Sequence, residues 1–233
     1  MITQALILAG GLGTRLGDLT RQVPKPMVPV GDKPFLERLL LHLQHQGLTR
    51  FVICTGYLGR QIEDYFGDGS KWNCEIVYSV EKELLGTGGA IKKAASLLEE
   101  TFLVASGDNF LDFDYRDFMK TFERLKPMGL LACWKVTKPG FEPNLLLDEK
   151  TGRVLDYSYR DAAGKNFLDS GIKLFSKKIL SHFPPQEKFS LEADVMEKMA
   201  REGLLAGYPI PDHALDVGTP EGLAHVRSRL VNR

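Results

Sequence analysis

The chain has 233 residues, 43% of them hydrophobic and 26% charged, which provides one compact α/β domain and leaves too little length for a second full one. Lysine plus arginine equals aspartate plus glutamate at 30 each, so no global field draws the protein to nucleic acid or to an anionic membrane, and anionic ligands have to be held locally. No apolar run approaches the roughly 20 residues needed to span a bilayer, and the N-terminus lacks the charged start of a secretory signal, so a cytoplasmic protein is expected. Nothing in the composition speaks against a homo-oligomer.

Ala5-Leu6-Ile7-Leu8-Ala9 is a short apolar run stopped by glycines, the pattern of a strand buried on both faces. A helix follows with Phe35, Leu36, Leu39, Leu40 and Leu43 as its core stripe, then a buried strand at Phe51-Val52-Ile53-Cys54 and a helix through Ile62 to Phe66. Glu75 to Val80 alternates as a strand, Ala90 to Leu98 reads as helix, and Phe102-Leu103-Val104-Ala105 is another buried strand ending at Gly107-Asp108. This alternation predicts an α/β fold with a doubly wound, mostly parallel sheet, whose ligands bind beyond the carboxyl ends of the strands. Phe118, Met119, Phe122 and Leu125 then form a helical stripe, and Leu130 to Val136 a strand. Residues 138–165 hold two short strands, Asn144 to Leu147 and Arg153 to Tyr157, joined by the turn Asp148-Glu149-Lys150-Thr151-Gly152, and are expected to form a small β-rich lid. Helices near Leu191 to Ala200 and from Thr219 onward close the single domain, 1–233.

Cys54, Cys74 and Cys133 are an odd number at wide spacings, which speaks against disulfides and zinc and for small core residues. His42 and His45 share one helical pattern without a third ligand nearby and read as exposed residues on a solvated face.

The chemistry concentrates after the first strand, in Leu8-Ala9-Gly10-Gly11-Leu12-Gly13-Thr14-Arg15-Leu16. Three glycines in four positions let the backbone approach a ligand and turn N–H groups toward phosphate oxygens, and Arg15 adds a forked cationic donor. A glycine loop alone is equally an ordinary strand-to-helix turn. A dinucleotide fingerprint starting at Gly11 fails at Leu16, and one starting at Gly10 fails at Leu12, which argues against a nicotinamide oxidoreductase; no Gly-Lys-Ser/Thr completes a Walker loop. Pro24-Lys25-Pro26 follows, with prolines on both sides keeping Lys25 out of a regular helix and free for a phosphate. Asp108 ends a buried strand, and Asp216 lies just before Thr219-Pro220, a helix start with proline at its first position. Each is a short carboxylate suited to Mg²⁺ shared with phosphate, and each is also readable as a turn or cap residue.

A G-G-x-G-T-R-L loop followed by P-K-P-M resembles the family of sugar-1-phosphate nucleotidyltransferases, closest in look to heptose- and mannose-1-phosphate guanylyltransferases. The resemblance continues through Leu85-Gly86-Thr87-Gly88-Gly89-Ala90, Gly107-Asp108-Asn109, Asp169-Ser170-Gly171 and Asp216-Val217-Gly218-Thr219-Pro220. It implies a Rossmann-like nucleotidyltransferase fold and transfer of a nucleoside monophosphate from a nucleoside triphosphate to a sugar 1-phosphate, with Mg²⁺ and without a covalent intermediate. It further implies that Leu8, Ala9, Gly10, Gly11, Gly13 and Thr14 line the triphosphate, that Arg15 binds the leaving pyrophosphate, and that Lys25 contacts the α-phosphate. Glu81, Gly86, Thr87 and Gly88 would lie against base and ribose, while Asp108 and Asp216 would hold the metal. Asn109, Asn144, Asp169, Ser170, Gly171 and Glu192 are the acceptor candidates; Glu192 and Asp169 rank above Lys173, which could equally point to solvent.

The departures from the family pattern lie on the acceptor side. Glu-Lys-Pro is replaced by Tyr159-Arg160-Asp161, the common Asn-x-Gly by Asp169-Ser170-Gly171, and a lid-strand glycine by the stretch near Pro143-Asn144. An unusual acceptor is therefore expected, a heptose or other modified sugar phosphate, while the resemblance of the stretch from Ser79 to Gly89 to the guanylyltransferases implies GTP as donor. A uridylyl- or cytidylyltransferase of the same fold, and a non-catalytic sugar-nucleotide sensor, remain as alternatives.

Overall fold

The computed structural model describes residues 2–230. The nine main strands are β1 Gln4–Leu8, β2 Arg50–Thr55, β3 Glu75–Val80, β4 Thr101–Ser106, β5 Gly129–Lys135, β6 Leu145–Asp148, β7 Arg153–Tyr157, β8 Phe167–Ser176 and β9 Leu205–Ile210. They form one sheet in the order β3-β2-β1-β4-β8-β5-β9-β7-β6. β1 lies between β2 and β4, parallel to both, and its alternate side chains enter two different cores: Ala5 and Ile7 join one, Leu6 the other. The longer helices divide accordingly. α1 Phe35–His45, α2 Gly59–Phe66, α4 Tyr115–Leu125 and α6 Pro220–Leu230 cover the first face, while α3 Gly86–Lys93 and α5 Glu197–Arg201 cover the second.

The sheet is mixed, not mostly parallel. β3, β2, β1 and β4 are parallel, but β8 runs antiparallel to both β4 and β5, and β7 pairs antiparallel with β6 and β9. β6 returns to β8 through Leu145 and Phe167, so the second half of the sheet closes on itself. The cause is local: between Lys135 and Phe167 there is no helix to carry a parallel crossover, only a hairpin whose turn is closed by Gly152 N–H donating to the Asp148 carbonyl at 2.8 Å.

One helix start is as expected. Thr219 Oγ1 accepts the Gly222 N–H at 3.0 Å ahead of Pro220, the first residue of α6. α3, however, starts at Gly86, not near Ala90. Its first turn is glycine-rich because the Phe189 ring presses on it: a Cβ on Gly88 would stand 2.2 Å from Phe189 Cε2. Helix propensity counts against such a start, and tertiary packing overrides it. The helix expected near Leu191 to Ala200 contains a π-helical turn, Glu192–Met196, before α5. Cys54 and Cys133 are buried and Cys74 is half-buried. His42 is not on a solvated face but packs against Phe110, with ring centroids 4.6 Å apart. Among the described residues no helix is long and apolar enough to cross a membrane.

Candidate active site

A cavity of about 330 Å³ opens beyond the carboxyl ends of β1, β3 and β4. The first loop contributes Leu8, Ala9, Gly10 and Gly11, the segment after β3 contributes Glu81, Gly86 and Thr87, and the end of β4 contributes Ser106, Gly107 and Asp108. Lys25 and Pro26 complete the rim, with Leu84 and Ala90 among the apolar contacts. A larger open groove of about 1020 Å³, bordered by Glu99, Thr101, Met128 and Ser176, contains none of the candidate site residues. It lies at the opposite strand ends, where sheets of this kind do not bind their ligands.

Four of the expected nucleotide residues lie outside the cavity lining. Gly13 sits behind it at φ +66, a conformation that favours glycine, and a Cβ there would stand 2.9 Å from Lys25 Cβ, so its role is to let the loop pass over the lysine. Thr14 borders a separate shallow depression beside Leu12 and Tyr57, Arg15 is exposed, and Gly88 packs under Phe189. Ser106 is a lining residue that sequence reasoning missed; its position just before Gly107-Asp108 was the available signal.

Lys25 opens a short 3₁₀ turn, Lys25–Met27, after the extended Pro24, so it is only partly held out of helical structure as its flanking prolines suggest. It is 8% exposed. Its ammonium is bonded to Asp108 Oδ2 and lies 3.7 Å from Asp216 Oδ1. Asp216 is brought there by a two-residue antiparallel bridge that pairs it with Asn109, reinforced by Val217 N–H donating to the Asp108 carbonyl at 3.0 Å. Two carboxylates distant in sequence therefore converge on one cation. Among the described residues no group of three or more histidine, cysteine, aspartate or glutamate side chains forms a metal cluster. The two hard oxygen donors suit Mg²⁺, which is commonly held by one or two carboxylates together with phosphate and water.

Glu81 also lines the cavity. One of its oxygens accepts the Leu85 N–H at 3.0 Å, and the other would meet a Cβ on Gly10 at 3.0 Å. Burial pushes its carboxyl above the ordinary carboxylate value, against the Leu85 N–H and Lys93, which pull it down.

The acceptor candidates form a buried network. Lys173, which the alternation of its strand left free to face solvent, is in fact 4% exposed. It lies 3.0 Å from Asp169 Oδ2 and 3.5 Å from Glu192 Oε1. Thr87 donates to Glu192 Oε2 at 2.6 Å, and Asn144 Oδ1 accepts the Asp169 N–H at 2.8 Å. Burial works against the Lys173 charge, but Asp169 and Glu192 outweigh it and hold the ammonium above the ordinary lysine value. Burial likewise acts to raise Glu192, and Lys173 with Thr87 reverses this, leaving the carboxyl below its ordinary value. Gly171, at φ +84, lies beside the Asn109 side chain, while Ser170 Oγ is buried without a hydrogen-bond partner among the described residues.

Glycine loop, lysine, paired carboxylates and a cavity at strand ends together define an enzyme that handles a phosphorylated nucleotide. The model of the Nucleotidyl transferase family matches residues 4–233, and the chain belongs to this family. D-glycero-α-D-manno-heptose 1-phosphate guanylyltransferase of Campylobacter jejuni subsp. jejuni is 34% identical over 95% of this chain and 97% of its own length. The enzyme of the same description from Aneurinibacillus thermoaerophilus is 32% identical over 97% and 98%. The crystal structure of HddC from Yersinia pseudotuberculosis matches with TM-score 0.84 at 31% identity, covering 98% of this chain and 99% of that one, and a second HddC structure is complexed with GMP-PN. The family resemblance drawn from the motifs is borne out.

Proposed function

We propose that the enzyme transfers a guanylyl group from GTP to a heptose 1-phosphate, giving the GDP-sugar and pyrophosphate. One oxygen of the sugar phosphate bonds to the α-phosphorus as the bond from that phosphorus to the β-phosphate oxygen breaks, with no covalent enzyme intermediate. The observation that carries this reading is that the cavity lining holds two kinds of charged group: Lys25 with Asp108, beside which Asp216 lies 3.7 Å from the ammonium, and the Glu81 carboxyl, which accepts the Leu85 N–H. The first group, with a divalent cation on its two carboxylates, suits anionic phosphates. The second suits guanine, whose N1–H and 2-amino group are both donors and match an acceptor-only carboxylate. The heptose comes from the end-to-end similarity to two heptose-1-phosphate guanylyltransferases.

In this reading Gly10, Gly11 and the N–H groups of their loop bind the triphosphate, Arg15 closes over the pyrophosphate, and Lys25 neutralises the α-phosphate. Catalysis is then positioning and charge neutralisation. Asp108 and Asp216 would hold Mg²⁺, which when bound supplies positive charge between two anions that otherwise repel. Asn109, Ser170 and Gly171 face the acceptor, and 138–165 forms a lid of the single domain, working on soluble phosphorylated substrates in the cytoplasm. A pyrophosphate-release assay with each nucleoside triphosphate against a panel of sugar 1-phosphates tests the proposal. GTP with a heptose 1-phosphate should give the highest kcat/KM; glucose 1-phosphate or UTP leading the panel would overturn it, and no turnover with any pair would favour a sugar-nucleotide sensor.

A further inference from the structure

Lys173 is the one buried lysine that the proposed chemistry leaves without a task among those already described. Its ammonium joins two branches. On one side, Glu192 Oε1 is 3.5 Å away, and the other oxygen of that carboxylate accepts the Thr87 hydroxyl at 2.6 Å; Thr87 borders the nucleotide cavity. Thr87 Oγ1 in turn accepts the Leu191 N–H at 2.9 Å, which fixes the hydroxyl's direction. On the other side, Asp169 Oδ2 is 3.0 Å from the ammonium and also accepts the Tyr157 hydroxyl at 3.0 Å. Tyr157 ends β7, and Asn144, which accepts the Asp169 N–H, directly precedes β6. A continuous polar chain thus runs from the nucleotide cavity to the hairpin. It contains two carboxylates and one ammonium. Without the ammonium, two buried like charges would repel, and one would have to take up a proton or move away.

We infer that Lys173 is a positioning residue that couples the nucleotide cavity to the β6–β7 hairpin, so that a nucleotide seated against Thr87 orders the hairpin through Glu192, Lys173 and Asp169. The inference rests on reading the cavity as the nucleotide site. It places the coupling in a contiguous network whose central charge can be removed without touching the phosphate-binding residues.

Hydrogen exchange tests it. Non-hydrolysable analogues of GTP, UTP, CTP and dTTP are compared, and the one that slows exchange at residues 86–90 is used at equal occupancy for every variant. In the wild-type enzyme it should also slow the hairpin amides of 144–157 by at least about 5-fold, the lower range of coupling between sites. In Lys173→Met the protection at 86–90 should persist while that of the hairpin disappears. Lys173→Arg, which keeps the charge, should retain much of it. Should Lys173→Met fail to fold, Lys173→Met combined with Asp169→Asn removes the excess carboxylate and should show the same uncoupling. A hairpin that is not slowed in the wild type, one slowed equally in the Met variant, or a Lys173→Arg enzyme as uncoupled as Lys173→Met overturns the inference. If no analogue slows exchange at 86–90, the reading of the cavity itself fails, and the coupling falls with it.

Discussion

The Lys25 ammonium is bonded to the Asp108 carboxylate in the lining of the cavity, and the pair is completed by Asp216 at 3.7 Å. A lysine so enclosed is oriented by its partners and not by solvent. Its tether is short in space but long in sequence: the 3₁₀ turn at Lys25–Met27, the end of β4, and the bridge that brings Asp216 beside Asn109.

Replacing Lys25 removes both a phosphate-neutralising charge and the counter-ion of two carboxylates. Lys25→Ala and Arg15→Ala are each expected to lower kcat/KM by at least about 100-fold, the effect of losing a transition-state donor of roughly 3 kcal/mol. Lys25→Ala should also lower Tm, whereas the exposed Arg15 should leave it unchanged. Steady-state kinetics beside thermal denaturation separates the two effects, and near-normal turnover in both folded variants would remove these residues from the site.

The parallel half of the fold was legible because β1, β2 and β4 are continuous apolar runs bounded by glycine or charge, a local signal. The antiparallel insertion of β8 between β4 and β5 was not, since strand order depends on long-range pairing that periodicity does not encode. The same division holds at the site. Lys25, Asp108 and Glu81 were found from motifs and do line one cavity. Lys173 looked neutral between solvent and site because an alternating strand shows which residues share a face and not what that face meets; here it meets Glu192 from a π-helical turn. The early start of α3 was hidden by its glycines, whose helicity depends on Phe189, about a hundred residues on.

Glu81 can be tested by changing its hydrogen-bonding character at constant shape. A carboxylate accepts both donors of guanine, while the amide of Glu81→Gln can accept one and must direct its NH₂ elsewhere. The variant should lose about 10-fold or more in kcat/KM with GTP, and its discrimination against UTP should fall, since a site built for particular hydrogen bonds rejects mismatched partners strongly. Competition between the two triphosphates in one reaction measures the ratio directly. An unchanged ratio would mean that the base is read elsewhere.

Glu192 should leave a mark on acid stability. Lys173 and Thr87 hold its folded-state carboxyl below the ordinary value despite burial, so the unfolded chain binds the proton more readily than the native one. Its contribution is therefore present above the unfolded-state value of about 4.3 and is lost as pH falls through the lower folded-state value. Between neutral pH and about pH 3 the wild-type Tm should fall more steeply than that of Glu192→Gln, which has no such proton to take up. Parallel curves would show that the carboxyl is not held low.

Asp108 and Asp216 provide the strictest test of the site, because each alone has an ordinary explanation. Asp108 lies in the turn after β4, and Asp216 accepts the Gly218 N–H and so closes the turn before α6. What neither explanation accounts for is their convergence on one ammonium. If both carboxylates serve one divalent ion beside the phosphates, removing either does similar damage. Asp108→Asn and Asp216→Asn should each reduce turnover by at least about 100-fold, and the double variant should be little worse than either single one, since residues acting as a unit are non-additive. Each single variant should also need more Mg²⁺ for half-maximal rate, and should bind Mn²⁺ more weakly in a direct titration without substrate. A structural role predicts something different: lowered Tm, additive losses, and an unchanged metal dependence. Asp216→Asn showing that second pattern would return Asp216 to the turn it closes and leave Asp108 as the sole carboxylate at the phosphates.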